Sequence, residues 1–205
     1  MIERIQWLGH ASFRIQGLPF IYIDPWRISR NAFHADVVLV SHDHYDHCSL
    51  PDVEKLRGPD TIVLANSMAA ALLPDTTILR PWQVININSA SIRAIPAYNS
   101  HHPKDFGGLG FVISMEHTDI YFAGDTGLID EMSTIRADIA ILPIGGRQTM
   151  NVDQAIEAVR RIHPRWVIPS HWGTSTEGGT EMDARLFAER VKRDNLAEVV
   201  IPTRS

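Results

Sequence analysis

A single cysteine, Cys48, in 205 residues leaves no partner for an intrachain disulfide, and a chain of this length buries a full core without one. No apolar run approaches the ~20 residues of a membrane span. Glu3 and Arg4 interrupt any apolar stretch that could open a secretory signal. An excess of positive charge is missing too. Asp and Glu number 24 against 19 Lys and Arg, a net charge of -5, which gives no support to a dedicated nucleic-acid surface, although bound cations would add positive charge that this count omits. Solenoid-length repeats, low-complexity tracts and blocks of like charge are absent as well. What remains is ordinary globular usage, 44% hydrophobic and 21% charged. The expectation is one domain over residues 1–205, with no membrane span and a cytoplasmic location where a lone thiol stays reduced.

Histidine is what the chain concentrates. Ser41-His42-Asp43-His44-Tyr45-Asp46-His47 places three histidines and two aspartates directly after the apolar run Val37-Val38-Leu39-Val40. That run reads as a buried strand. Imidazole and carboxylate together suit divalent transition metals, zinc above all. The plain alternative is a solvated polar turn, but neutral histidine is a costly choice for solubility alone. Cys48 follows directly and reads as a small buried residue rather than a ligand.

The rest of the chain supplies a frame. Ile2 to Leu8, Ser12 to Gln16 and Phe20 to Asp24 read as an antiparallel meander, separated by Gly9 and Gly17-Leu18-Pro19. Ala35 to Val40 delivers the histidine segment. A helix then begins with Ser49 as N-cap and Pro51 in its first turn, and stops at Gly58-Pro59. Thr61 to Ala65 reads as a strand, Ser67 to Leu73 as a short helix, and Val84 to Ile87 and Ser91 to Ala97 as strands. Gly110 to Met115 and Asp119 to Ala123 read as a hairpin. The last third alternates: strand Asp138 to Leu142, helix Val152 to His163, strand Trp166 to Pro169, helix Met182 to Lys192, strand Val199 to Ile201. Such halves fit two packed sheets with helices outside.

Three more ligand-type groups lie just beyond apolar strands: His101-His102, Asp125 in the turn Gly124-Asp125-Thr126-Gly127, and His171 after Trp166-Val167-Ile168-Pro169. One such group alone is weak evidence. Four clusters in the same local context point to one shared edge of a sheet system.

With its later His, the Gly124-Asp125-Thr126 turn and Ser170-His171, the motif His42-x-His44-x-Asp46-His47 resembles the metallo-β-lactamase superfamily of metal-dependent hydrolases. Trp7-Leu8-Gly9-His10-Ala11, Ile23-Asp24-Pro25, Leu142-Pro143-Ile144-Gly145-Gly146 and His171-Trp172-Gly173-Thr174 are similar to a compact branch. That branch holds the ascorbate-phosphate lactonases, many uncharacterised hydrolases and, more remotely, a phospholipase D acting on N-acyl-phosphatidylethanolamine. The resemblance implies an α/β (α+β) fold, a four-layer αββα sandwich, with two metals at one edge. His42, His44 and the later His would hold one ion, Asp46, His47 and His171 the other, and Asp125 would bridge them. Seven groups exceed one tetrahedral zinc and suit two sites, each with an open position. Between His101 and His102, the His102-Pro103-Lys104 segment is similar to one in relatives and favours His102.

The resemblance further implies a binuclear zinc hydrolase, with Mn2+ or Fe2+ as other metals, whose shared hydroxide attacks an ester-type bond of a small molecule. The bond is a phosphoester, a phosphodiester or a lactone, with Asp46 orienting the hydroxide and moving a proton. A non-catalytic metal sensor or scaffold and a di-iron redox protein are the competing readings, and a homo-oligomer is open. His10 and Asp24 each have two readings: a role beside the metals, or a turn residue with structural hydrogen bonds. Tyr98 and Trp172 are candidate pocket walls. His34, His117 and His163 read as surface or packing residues. Substrate choice would rest with Tyr98 to Leu109 and the segment after His171.

Overall fold

Three short strands open the chain: β1 (Ile5–Gly9), β2 (Ser12–Ile15) and β3 (Ile21–Ile23), paired antiparallel as their short connections require. Pairing then turns parallel through β4 (Val37–Val40), β5 (Ile62–Ala65) and β6 (Thr76–Ile78). Helices α1 (Leu50–Leu56) and α2 (Ser67–Ala70) lie in the two later crossovers. This is a computed structural model, and it describes residues 1–173 and 178–204.

The second half repeats the plan. An antiparallel meander, β7 (Val84–Ile87), β8 (Ala90–Pro96), β9 (Leu109–Met115) and β10 (Thr118–Phe122), passes into parallel β11 (Ile139–Pro143), β12 (Trp166–Ser170) and β13 (Glu198–Val199). Helix α3 (Val152–Ile162) connects β11 to β12, and α4 (Glu181–Arg193) leads to β13. The six- and seven-stranded sheets run β1-β2-β3-β4-β5-β6 and β13-β12-β11-β10-β9-β8-β7.

The period-2 alternation of β4 shows why its four apolar residues are all needed. Val37 and Leu39 face the space between the sheets, with Phe13, Ile23, Phe111 and Phe122. Val38 and Val40 join Tyr22, Val63 and the helix residues Val53 and Leu56 on the outer face. A strand covered on both faces reads as a continuous hydrophobic run. On the far side α3 buries Ala155, Ile156, Val159 and Ile162 as its 3.6-residue spacing predicts. An Asn151/Gln154 capping box starts it, and His163, left-handed at φ 56°, ends it. The layers are helix, sheet, sheet, helix.

Local chemistry departs from expectation in a few places. Ser49 holds the N-cap position of α1, but its hydroxyl donates to Asp52 Oδ2 at 2.7 Å and caps no backbone N–H. Asp52 uses its carboxylate to accept from the Arg27 and Ile28 amides and from Lys55 Nζ. Strand β6 escaped prediction because it is three largely exposed residues at a sheet edge. Helix α2 stops at Ala70, short of Leu73. β13 sits earlier than Val199–Ile201 because its register is set by Trp166↔Glu198, reinforced by Trp166 Nε1 donating to Glu198 at 3.0 Å.

For the site, what matters is strand direction. β1, β3, β4, β8, β10, β11 and β12 all end at one edge of the molecule. There Leu109 N donates to Ser41 O at 3.0 Å and His171 N to His10 O at 3.1 Å, tying one sheet to the other. Among the described residues no helix is long and apolar enough to cross a membrane.

Candidate metal centre

Asp24 is the hidden organiser of this edge. Fully buried beyond β3, its Oδ1 accepts from Ser41 N at 2.7 Å, and its Oδ2 accepts from Ser41 Oγ at 2.6 Å and faces His47 Nδ1 at 2.7 Å. Ser41 Oγ spends its proton on Asp24, so it accepts from His42 Nδ1, 2.9 Å away. In their neutral, ligand-ready form both rings thereby carry their proton on Nδ1 and turn an Nε2 lone pair toward the edge, an assignment made from hydrogen-bond logic. Asp24 is therefore the orienting group rather than a plain turn former, although it also takes the left-handed φ of 45° that a turn Asp tolerates.

Asp125 enters from the end of β10. Gly124, at φ 69°, makes the turn possible, since a Cβ there would lie 2.5 Å from Leu109 O. Asp125 Oδ1 lies 2.6 Å from His171 Nε2 and 3.4 Å from His47 Nε2, and Oδ2 lies 3.9 Å from His42 Nε2. Burial would raise this carboxyl, but His171, His47 and His42 hold it well below the usual carboxylate range. His10 Nε2 lies 3.1 Å from Asp46 Oδ2. Burial opposes ionisation of Asp46 as well, and His10 and His47 outweigh it and lower its pKa.

His102 arrives on the loop after β8. Asn99 Oδ1 accepts from the amides of His101 and His102, at 2.8 and 2.9 Å, while Asn99 Nδ2 donates to Asp125 O at 3.2 Å. His102 stacks on Phe106 with centroids 4.4 Å apart, and its Nε2 lies 3.1 Å from His44 Nε2. The loop buries His102 and leaves His101 exposed.

Among the described residues three donor sets result, each with its atoms within 4.8 Å of one another: His42, His44 and His102; His42, His47 and Asp125; His10, His47 and His171. All seven residues named from the sequence thus lie at one edge, with Asp46 beside His10. A cation fits this collection on a structural ground. Both ring nitrogens of His10, His42 Nε2, His171 Nε2 and Asp125 Oδ1 are buried and make no properly directed hydrogen bond. Each such orphan costs about 1–3 kcal/mol unless something else satisfies it. Burial keeps His42 well below its ordinary pKa and also lowers His10 and His102, which favours the neutral, ligating form.

His47 behaves oppositely. Burial lowers it, but Asp125 and Asp24 outweigh burial and raise it to about 9 from 6.5. With metal chelated away, its contribution to stability is full below pH 6.5 and lost as pH rises to about 9. The depressed histidines act on the acid side, where the unfolded chain takes up protons first. Thermal midpoints of the chelated protein are therefore expected to peak near pH 6.5 and fall by several degrees toward pH 9. A midpoint flat from pH 6.5 to 9 would contradict this account of His47.

Beside the donors lies a cleft of about 240 Å³, whose lining includes His44, Asp46, Asp125, His171, Trp26 and Tyr45. The two aromatic walls are Trp26 and Tyr45, not the expected Tyr98 and Trp172. Tyr98 Oη donates to Glu131 at 2.8 Å, and Trp172 stacks on Trp7 at 4.6 Å. Gly145 lines the same cleft. Cys48 is buried outside every donor set, with its thiol pushed up to about 12 by burial and the Asp24 charge. His34, His117 and His163 are exposed. Residues 174–177, which include Thr174 and form part of the segment after His171 expected to select substrate, lie outside the described residues.

Sequence reasoning missed Ser41, Asn99 and Phe106 as working parts. Each acts through another residue, and nothing in local spacing marks such a role. It also missed that His10, Asp24 and His171 all take positive φ, at 54°, 45° and 60°. Backbone strain of that kind gathers at functional sites.

A histidine-carboxylate cluster at one edge of an αββα sandwich defines a class. Residues 4–171 match the Beta-lactamase superfamily domain, and the chain belongs to the metallo-β-lactamase superfamily. Within it, the chain is similar to the UPF0173 metal-dependent hydrolase Ta0764 of Thermoplasma acidophilum, 35% identical over 190 residues covering 83% of this chain and 84% of that protein. Igni18, a metallo hydrolase from the archaeon Ignicoccus hospitalis, has a similar structure, with a TM-score of 0.84 at 25% identity over 98% of this chain and 95% of that one. CmlA, a diiron β-hydroxylase from Streptomyces venezuelae, shares the fold alone, with a TM-score of 0.75 at 15% identity over 97% of this chain and 52% of that one.

Proposed function

We propose that this metallo-β-lactamase-fold hydrolase holds two divalent ions, zinc first among them, and cleaves an ester-type bond of a small molecule. The observation that carries the reading is the division of Asp125: Oδ2 faces His42, and Oδ1 faces His47 and His171. A carboxylate shared in this way suits two ions better than one. His42, His44 and His102 would hold one, and His47 and His171 with Asp46 the other. His10, grouped with His47 and His171, is a further donor on that side. Ions held there would supply Lewis acidity, both to ionise a water near neutral pH and to polarise the ester oxygen.

The chain's own residues do the rest. Asp24 fixes His47 directly and His42 through Ser41. Asp46 reaches the cleft, where its carboxylate can take a proton from the attacking water and return it to the leaving oxygen. Trp26 and Tyr45 narrow the approach. The cleft volume of about 240 Å³ favours a small substrate. Phosphoesters, phosphodiesters and lactones all suit this chemistry, which the fold does not choose between.

Elemental analysis of protein purified without added metal, paired with a panel of phosphodiester, phosphomonoester, lactone and thioester substrates, tests the reading. Two equivalents of zinc and turnover of one class are expected. His102→Ala should lose metal and His101→Ala should keep it. Full turnover in metal-free protein would overturn the proposal.

A further inference from the structure

Among the described residues, the cleft contains one charged side chain that the metal centre does not use. Arg147 lies on the loop between β11 and α3 and lines the cleft with Gly145, Gln148 and Thr149. Its position is built rather than incidental. Gly146, at φ 75°, turns the loop, and its amide donates to Met150 O at 3.0 Å. Met150 N in turn donates to Thr126 O at 2.9 Å, fastening the loop to the turn that carries Asp125.

Among the described residues the guanidinium has no hydrogen-bond or ion-pair partner. Most other arginines hold a carboxylate or a carbonyl: Arg4 with Glu116, Arg160 with Asp194, Arg185 with Glu181, Arg204 with Leu8 O. Arg147 holds neither among the described residues, although acids outnumber bases, 24 to 19. The carboxylates that line the cleft, Asp46 and Asp125, are turned to His10 and to His171. A planar, permanently charged fork left open on a cleft wall is suited to bind a carboxylate or phosphate in bidentate fashion.

We propose that Arg147 anchors an anionic group of the substrate, so that the molecule hydrolysed is a small ester bearing a carboxylate or phosphate away from the bond that breaks. This rests on the hydrolase reading above and adds the substrate's charge to it. Arg147 fixes which esters are held, and the donors beyond Asp125 act on the bond itself.

The test is a binding measurement, so it stands apart from turnover. Succinate and 3-phosphonopropionate each carry one head for the metal centre and one distal anion, whereas butyrate lacks the distal charge. All three are titrated calorimetrically into the protein as purified. The two-headed probes should bind about tenfold or more tighter than butyrate, the scale of one charge-assisted contact. Arg147→Ala should abolish that preference, and Arg147→Lys should keep part of it. Arg147 is exposed at a loop tip, so both variants should fold, which a thermal melt checks.

Stronger binding of succinate identifies the carboxylate as the natural group, and stronger binding of the phosphonate identifies the phosphate. A preference unchanged in Arg147→Ala, or no preference in the unaltered protein, overturns the proposal. If no ester in the hydrolase panel turns over, the hydrolase reading falls while the binding preference still decides the role of Arg147.

Discussion

Asp125→Ala is expected to abolish metal retention and to lower hydrolysis by about 10³-fold or more, the scale of removing a group built around the reacting centre. Among the described residues, no other side chain faces His42, His47 and His171 together. The conservative change Asp125→Asn preserves shape and removes charge, so it separates two roles. If negative charge is what gathers the metal, Asn should fail nearly as badly as Ala. In the metal-free state either change also removes the main carboxylate that raises His47, and the alkaline loss of stability should shrink. Elemental analysis and turnover are measured on the same sample. Full metal content with full activity in Asp125→Ala would sink the assignment.

The second large effect belongs to a residue that touches no substrate. Asp24→Ala would strand Ser41 N, Ser41 Oγ and His47 Nδ1 in a fully buried pocket. Breaking a buried, charge-assisted network of this kind costs on the order of 3–5 kcal/mol. Asp24→Asn is the sharper probe. Asn tolerates the left-handed backbone at this position and can still accept from Ser41. Its amide, however, would point a donor at the donor on His47 Nδ1. The expected result is a modest loss of thermal stability with about 10–100-fold weaker metal binding, the range typical for partners that orient ligands. Metal affinity is read by competition with a chromophoric chelator. Unchanged affinity in Asp24→Asn would mean that the two rings are positioned by packing alone.

The sequence revealed most about this site where chemistry is local. His42, His44, Asp46, His47, Asp125 and His171 all sit one to several residues beyond apolar strands, and the layer rules bring such ends together. Strand β4 could be read from its own four residues. The choice of His102 over His101 is different in kind. It depends on Asn99 folding its side chain back onto two successive amides, a register that no periodicity encodes. Ser41 was visible only as the first letter of a motif, because its role lies in passing orientation from Asp24 to His42. The cleft walls were misread because a tryptophan beside a ligand can face either way, and Trp172 is taken up by Trp7. Strand β6 and the 3-10 turn Lys104–Phe106 are too short to leave a pattern.

The division of donors between the sheets has a mechanical consequence. His42, His44 and His47 hang from the six-stranded sheet, while His102, Asp125 and His171 hang from the seven-stranded one. An ion gripped from both sides is a clasp on the seam of the sandwich, closing the edge where backbone hydrogen bonds such as Leu109 to Ser41 and His171 to His10 cross between the sheets. Every factor of ten in the grip on that ion is then about 1.4 kcal/mol of cohesion between the two halves. What readies the molecule for chemistry also keeps it shut.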